Sequence, residues 1–237
     1  ANAKFIPHFK GGVKSAARSM PTSAAIDRVG AVLNFPVYET PTGWKYFGNL
    51  MDSALLGGSD LNPFLCGEES FGTGSNHIRE KDGLWAVLAW LSILAAKNPV
   101  PSEKFVGVDQ ILAEHWATFG RNFYCRYDYE GVSSEGANQM VERLRSAIVQ
   151  PEVFQILATK AFSMGFKLLK LDDFYYVDPI DKSISTKQGI RMLFESGVRA
   201  VFRLSGTGSE GATIRLYIEK FEPNQDLHHR SAQEELA

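Results

Sequence analysis

The segment from Arg203 to Arg215 combines two arginines with glycines and hydroxyl residues, which are residue types that bind phosphate. It contains the spacing Gly206-x-Gly208-x-x-Gly211, nominally a dinucleotide fingerprint, but that fingerprint requires a helix directly after the glycines. The residues that follow here alternate between apolar and polar, as in a strand. We therefore reject a nucleotide site and predict a strand, a glycine loop and a second strand.

A loop of this kind can bind an anion. Its backbone N–H groups and the hydroxyls of Ser205, Thr207 and Ser209 can form a nest around the ligand. Arg203 and Arg215 fall on the polar side of their predicted strands, so that both guanidinium groups flank the loop and can make bidentate bonds to phosphate. The alternative is a plain glycine-rich hairpin with solvated arginines. We favour phosphate binding.

A second candidate is the loop from Cys66 to Gly72, which carries acceptors and a hydroxyl between glycines. Glu68 and Ser70 are two residues apart, so in an extended stretch both side chains project to the same side. A carboxylate beside a hydroxyl suits a vicinal diol of a sugar, because the carboxylate accepts from two hydroxyls. Taken alone, the segment also fits an ordinary acidic surface loop.

A charged run precedes the most apolar segment of the chain. Asp82 is explained as a helix cap, which leaves His77, Arg79 and Lys81 to interpret. A solvated face explains them, yet a lysine that follows a sugar loop could hold a phosphate or assist proton transfer.

The elements that must position these residues alternate in the first half. We predict, in chain order, a helix from Ala24 to Val29 stopped by Gly30, a strand from Ala31 to Tyr38, a turn with Thr42 and Gly43, helical spacing from Lys45 to Met51, and a buried helix from Leu84 to Ala96. This alternation predicts an α/β layered domain, with ligands at the strand ends. Thr42 and Gly43 would lie there, although an ordinary turn explains them as well.

The second half changes pattern. Helical spacing from Val108 to Phe119 ends at Gly120, and a helix capped by Ser133 or Ser134 follows later. Strands are predicted at 123–129, 166–171, 174–177, 190–194, 200–204 and 213–221, which indicates an α+β domain with a mainly antiparallel sheet. We place a sugar-binding α/β domain at 1–106, an interdomain linker and helix at 107–120, and a phosphate-binding α+β domain at 121–237.

Composition excludes several classes of protein. Hydrophobic residues make up 44% and charged residues 22% of 237 residues, which is ordinary for a globular chain. The net charge of −2 predicts no attraction to nucleic acid or to an anionic membrane. The longest apolar run has 13 residues, short of the roughly 20 that a membrane span needs. Two distant cysteines and the absence of a signal-peptide pattern favour the cytoplasm.

Four segments resemble one family. Arg18–Ser23, Tyr38–Lys45, Cys66–Trp85 and Arg203–Tyr217, in this order, are similar to the third and fourth domains of eukaryotic-type phosphoglucomutases, including parafusins, in the α-D-phosphohexomutase superfamily. The resemblance covers nearly the whole chain. It implies an enzyme of four domains around a cleft, in which a phosphoserine exchanges a phosphoryl group with glucose 1-phosphate or glucose 6-phosphate through a bisphosphate intermediate.

The resemblance also implies residue roles. Matching motifs assign substrate binding to Thr42, Gly43, Glu68, Ser70 and Arg79, a catalytic role to Lys81 with His77, and phosphate binding to Arg203, Ser205, Gly206, Thr207, Gly208 and Arg215. The complete enzyme would use Mg²⁺ and glucose 1,6-bisphosphate, with a hexose phosphate as substrate.

The chain departs from the family in what it lacks. It contains no serine loop of the Thr-Ala-Ser-His-Asn type and no Asp-Gly-Asp-Gly-Asp metal loop. We expect no metal site and no turnover from this chain alone, because phosphoryl transfer needs a donor and a metal, and we expect the missing N-terminal half as a partner. The alternative is a non-catalytic phosphosugar-binding or structural relative.

Overall fold

The computed structural model describes residues 2–100, 104–208 and 211–236. Contacts divide the chain into two compact units. The first runs through Arg121 and includes Val177–Ser183 and Pro223–His228, and the second comprises Asn122–Tyr176, Ile184–Glu222 and the residues from His229 on. The domain boundaries given above stay a prediction. No helix in the described ranges is both long and apolar enough to span a bilayer.

The first unit alternates strands and helices around a small sheet. After short 3-10 turns at Asn2–Phe5 and Pro7–Phe9 come β1 (Ala16–Ser19), α1 (Ala25–Leu33), β2 (Val37–Thr40), α2 (Trp44–Met51), β3 (Leu65–Gly67), β4 (Thr73–Gly74), α3 (Gly83–Lys97) and α4 (Val108–Phe119). The strand order is β2-β1-β3-β4. β1 pairs parallel with both β2 and β3, and β4 is antiparallel to β3. The α/β layered prediction is confirmed.

Parallel pairing brings the carboxyl ends of three strands to one edge. Ser19 pairs with Thr40, and Arg18 pairs with Gly67, so the chain leaves β1, β2 and β3 at neighbouring positions. Beneath this edge, α2 packs Phe47 and Leu50 on Ala17 and Cys66 in the core of the unit. Burial raises the pKa of the Cys66 thiol, which therefore behaves as a small apolar core group.

Three predictions for the first unit were wrong. The helix α1 does not stop at Gly30 but continues to Leu33, and the left-handed Asn34 ends it. The predicted strand from Ala31 is therefore helical at its start, and β2 begins only at Val37. The helix α3 was predicted to be buried, yet Leu84 is 79% and Leu88 is 63% exposed.

The second unit is an antiparallel sheet covered by helices. Its elements are β5 (Arg121–Val132), α5 (Ser134–Val149), α6 (Pro151–Ser163), β6 (Leu168–Asp173), β9 (Ile190–Phe194), β10 (Arg199–Gly208), β11 (Gly211–Glu222) and α7 (Ala232–Leu236), with short strands β7 (Tyr176–Val177) and β8 (Ile184–Ser185) between β6 and β9. The strand order is β5-β11-β10-β9-β6. This confirms the α+β prediction, and Ser133 caps α5 by accepting from Gly136 N.

The helix-facing side of this sheet forms a core. Phe202 and Leu204 of β10 pack with Ile190 of β9 against Val141 and neighbouring residues of α5 and α6. Because side chains alternate along a strand, the residues between them, including Arg203, project from the opposite face. The helix α6 was not predicted from the sequence, although Pro151 stands at its start, where proline is tolerated.

Candidate functional site

A buried carboxylate stabilises the loop after β3. Glu69 is only 5% exposed, and its Oε2 accepts from Ser19 Oγ at 2.8 Å. The Ser19 hydroxyl also lies 2.7 Å from Thr22 Oγ1. These bonds link the carboxyl end of β1 to the turn that carries Glu68 and Ser70. Sequence reasoning missed Glu69, because nothing in the pattern distinguishes it from its acidic neighbour.

Arg18 stabilises the same edge of the sheet through ion pairs. It is buried and forms ion pairs with Asp27 of α1 at 2.6 Å and with Glu39 of β2 at 3.0 Å. Burial alone would lower the pKa of the guanidinium, but the hydrogen bonds and charges of the two carboxylates outweigh it and raise the pKa. The arginine therefore stays charged and fixes β1, β2 and α1 around the strand ends.

Glu68 and Gly43 meet at the start of α2. The Gly43 N–H donates to Glu68 Oε1 at 2.8 Å, so the carboxylate satisfies a backbone donor at the helix N-terminus, where negative charge is favourable. Gly43 has φ +131°, a conformation that suits glycine. The expectation that Glu68 and Ser70 share an extended stretch was wrong. The Glu68 N–H donates to Gly72 O at 2.8 Å and closes a tight turn, with Ser70 exposed at its tip.

Thr42 and Trp44, on either side of Gly43, carry buried polar atoms with no partner among the described residues. These atoms are Thr42 Oγ1 and Trp44 Nε1. The indole packs edge-on against Phe47, with ring centroids 5.1 Å apart. Such orphan groups are rare in folded proteins and call for an explanation. Trp44 was not among the residues that the sequence singled out as functional.

Lys81 lies close to the corner that Gly43, Trp44 and Glu68 form at the strand ends of the first unit. A Cβ built on Gly72 would come within 3.0 Å of Lys81 Cδ and 3.6 Å of Trp44 Nε1. The structure thus brings the lysine stem, the indole and the turn together. The Lys81 ammonium is exposed, and its nearest carboxylate oxygen is Glu80 Oε1 at 3.4 Å.

His77 and Arg79 are engaged with carboxylates of their own. His77 Nε2 lies 2.9 Å from Asp82 Oδ2, and its ring stacks on Trp85 at 6.0 Å. The hydrogen bond from His77 lowers the pKa of Asp82. Arg79 bonds both oxygens of Asp52 through Nε, at 3.0 Å each, and this pairing lowers the pKa of the Asp52 carboxyl. A substrate would compete with Asp52 for Arg79.

In the second unit, Arg203 and Arg215 stand directly opposite each other on β10 and β11. Directly opposed residues of an antiparallel pair project from the same face, so the two guanidinium groups share one side of the sheet. Ser205 and Thr213 oppose each other one step further along the same side. Two like charges opposite each other destabilise a sheet, and an anion between them removes that cost.

The surroundings of Arg215 leave a donor available. Its Nε is buried and has no hydrogen-bond partner within the described part of the chain. The nearest carboxylate, Asp128 of β5, lies 3.9 Å from Arg215 Nε and 3.1 Å from Arg126 Nε. Across the hairpin, Arg203 Nη1 lies 3.5 Å from Tyr217 OH. Asp128 and Tyr217 were not predicted from the sequence.

The glycine segment is more regular than a loop. Both strands continue to Gly208 and from Gly211, and the register shifts by a bulge between Ser205 and Thr207. Gly206 is thus the extra residue in the ladder, and a bulge leaves that residue without a cross-strand partner. Gly211 has φ +99°. Ser209 lies outside the described residues, and only the backbone of Thr207 is described.

No group of three or more His, Cys, Asp or Glu residues within 2–100, 104–208 and 211–236 could hold a metal ion. The chemistry that the described residues offer is recognition. The first unit presents a carboxylate, hydroxyls and a lysine at the strand ends, and the second presents paired arginines beside a glycine bulge.

Two family models match the chain. Residues 4–119 match "Phosphoglucomutase/phosphomannomutase, alpha/beta/alpha domain III", and residues 121–237 match "Phosphoglucomutase-1, C-terminal domain".

Individual relatives agree with the family models. The chain is 53% identical to the chloroplastic phosphoglucomutase of Arabidopsis thaliana, over 98% of the chain and 36% of that protein. It is 54% identical to the cytoplasmic phosphoglucomutase of Pisum sativum, over 100% of the chain and 40% of that protein. The crystal structure of the Paramecium phosphoprotein pp63/parafusin, a phosphoglucomutase in its open form, is 52% identical with a TM-score of 0.81, over 99% of the chain and 37% of that structure.

The chain spans less than half the length of these relatives. The two matched domains follow each other along the sequence and correspond to a C-terminal portion of the relatives. The chain therefore belongs to the phosphoglucomutase family.

Proposed function

We propose that the full-length protein interconverts glucose 1-phosphate and glucose 6-phosphate, and that this chain supplies sugar and phosphate recognition. The single observation that carries the proposal is Arg215, which opposes Arg203 across the hairpin and keeps a buried Nε donor with no hydrogen-bond partner in the described residues. A purely structural hairpin gains nothing from two opposed arginines. A phosphate dianion accepts from both and removes their repulsion.

The phosphate site consists of the two arginines with the bulge between them. Arg203 and Arg215 act as donors from one face, Ser205 adds a hydroxyl, and the backbone at Gly206, Thr207 and Gly208 lines the bulge. Asp128 lies between Arg126 and Arg215, so a bound phosphate would compete with this carboxylate for Arg215. Binding should therefore weaken as ionic strength rises.

The sugar site is the corner at the strand ends of the first unit. Glu68 accepts from sugar hydroxyls with the carboxylate oxygen that Gly43 does not use, Ser70 supplies a hydroxyl, and Thr42 and Gly43 line the site and help to orient the substrate. Lys81 offers an exposed ammonium for a phosphate or for proton transfer, and His77 and Arg79 lie on the same segment. Preorganised positioning of this kind contributes much of the rate of phosphoryl transfer.

The remaining parts of the reaction are assigned to the rest of the protein. Mg²⁺ and glucose 1,6-bisphosphate would serve the complete enzyme, and the residues that hold the metal would come from the rest of the protein. The missing N-terminal half would supply the phosphoserine. A cytoplasmic location is part of the proposal, as for the relatives that are named cytoplasmic, although relatives of similar identity are named chloroplastic.

Calorimetric titration with glucose 6-phosphate tests the recognition role directly. The chain should release heat on binding, and Arg203→Glu should abolish it because the variant places a negative charge opposite the phosphate. Arg143, which is exposed on α5, provides the matched control, and Arg143→Glu should bind as the parent does. No heat from the folded parent, or equal heat from Arg203→Glu, would refute the proposal.

Turnover separates the enzyme from a non-catalytic phosphosugar-binding relative. The full-length protein should convert glucose 1-phosphate to glucose 6-phosphate, and the chain alone should not. A full-length protein that binds the substrate without converting it would support the non-catalytic alternative.

A further inference from the structure

The indole N–H of Trp44 is an unsatisfied donor at the centre of the sugar corner. The residue is 5% exposed, and Nε1 has no acceptor among the residues that the structure describes. Packing explains the ring, which contacts Phe47, but it does not explain the nitrogen, since a phenylalanine would pack there without an unpaired donor. A buried donor without an acceptor calls for an explanation, and a partner in a second state of the molecule is one that the surrounding residues can be tested for.

The turn from Glu68 to Gly72 lies close to this donor. A Cβ built on Gly72 would lie 3.6 Å from Trp44 Nε1, and one built on Gly74 would lie 3.1 Å from Trp44 Cη2. The indole therefore underlies the turn and the start of β4. Because protein atoms cover Nε1, no ligand reaches it directly. An acceptor for Trp44 Nε1 must therefore come from the backbone of the turn itself.

The turn is held in an unfavourable conformation. Phe71 has φ +65°, which is strained for a residue with a side chain. Its phenyl ring is 90% exposed, so no contact of the ring compensates for the strain. The Glu68 N–H to Gly72 O bond closes the turn across this residue. Strain of this kind at a ligand corner is a sign of a segment with a second position.

We propose that Trp44 is a positioning residue for a turn that moves when the sugar phosphate binds. In the bound position, a main-chain carbonyl of the 68–72 turn accepts from Trp44 Nε1, and Phe71 leaves the left-handed region. The movement carries Glu68 and Ser70 towards the sugar hydroxyls. This inference rests on the proposed function, because the sugar phosphate is the ligand that selects the second position.

Two NMR signals test the movement of the turn separately from the proposed sugar site. The amide of Gly43, which donates to Glu68, reports on occupation of the corner, and the indole N–H of Trp44 reports on the new hydrogen bond. On titration with glucose 6-phosphate we expect both signals to shift and hydrogen exchange at Nε1 to slow. A Gly43 shift with an unchanged Trp44 indole would overturn the turn movement alone. If neither signal moves, the proposed sugar site fails, and the inference fails with it.

Variants test the size of the effect. Trp44→Phe removes the donor and should weaken glucose 6-phosphate binding about fivefold, the equivalent of one net hydrogen bond. Trp90→Phe on α3 is the matched control and should bind as the parent does. If Trp44→Phe does not fold, benzothienylalanine at position 44 keeps the ring shape and replaces N–H by sulfur. Parent-like affinity of a folded variant that lacks the donor would contradict the proposal.

Discussion

Replacing Arg215 by glutamine removes one of the two guanidinium groups of the proposed phosphate site while it keeps a shorter, neutral polar side chain. In the folded chain Arg215 opposes Arg203, and its buried Nε has no hydrogen-bond partner in the described residues and lies 3.9 Å from Asp128 Oδ2. The substitution therefore affects binding and stability in different ways. That difference distinguishes a binding arginine from a structural one.

The structure sets the expected magnitudes. Hydrogen bonds to charged groups contribute about 1.5–3 kcal/mol, so the loss of Arg215 should raise the Kd for glucose 6-phosphate by roughly 10- to 150-fold. Stability should change by less than about 1 kcal/mol, because the lost contact to Asp128 is long and the lost repulsion from Arg203 compensates for it. Arg215→Lys keeps the charge without the planar fork and should fall between glutamine and the parent.

Calorimetry and chemical denaturation measure the two effects on the same samples. Arg143→Gln on α5 serves as the matched control for both measurements and should resemble the parent. We expect weak binding with an unchanged denaturation midpoint for Arg215→Gln. A strong loss of stability with unchanged affinity would show that Arg215 supports the fold and would refute the reasoning.

Two further predictions concern the scaffold. A Cβ at Gly74 would lie 3.2 Å from the main-chain oxygen of Glu80, so Gly74→Ala should lower the free energy of unfolding by about 1–3 kcal/mol. Gly83→Ala is the control, because a Cβ there meets nothing within 4 Å, and it should not lower the free energy of unfolding. Equal denaturation midpoints for the two variants would contradict the steric argument. Burial would raise the pKa of Asp172, but hydrogen bonds from Arg191 and a neighbouring lysine hold it below the ordinary value of 3.8. The ion pairs of Asp172 therefore stabilise the fold fully at pH values above 3.8. This stabilisation is lost as the pH falls through the lower pKa of the folded state. Asp172→Asn should lose less stability than the parent in that acid range, as measured by denaturation at each pH, and identical acid profiles would count against the ion pair.

The alternation of side chains along strands was sufficient to predict that Arg203 and Arg215 share one face of the sheet. Phe202 and Leu204 are apolar, which placed Arg203 on the other face, and the register confirms that Arg215 shares it. Local alternation does not reveal a bulge, because one extra residue at Gly206 depends on how the partner strand pairs. The neighbouring Asp128 comes from β5, far away in sequence, and no local pattern indicates it.

The geometry of the proposed sugar site could not be predicted from local sequence in this way. The residue types of Glu68 and Ser70 singled out this loop as a candidate, but the extended geometry was wrong because Gly72 accepts from the Glu68 N–H and closes a turn. The buried neighbour Glu69 depends on Ser19 for its partner. Such pairings arise only when parallel strands bring their ends together, and sequence spacing does not encode them directly.

Boundaries in the first unit were missed for a related reason. Gly30 looks like a helix stop, but Val37 Cγ2 and Phe35 O would lie within 3.0 Å of a Cβ there, so glycine is needed for close packing rather than for termination. The helix ends at Asn34, which adopts the left-handed conformation. A glycine in a helix thus has two explanations that only the packed structure separates.

The most direct test of the proposed phosphate site follows the NMR signals of the Nε–H groups of Arg203 and Arg215 during titration with inorganic phosphate. Both signals should shift together and give one common Kd, because a single dianion accepts from both arginines. A phosphate that binds while the Arg215 Nε–H signal stays in place would contradict the paired-arginine site.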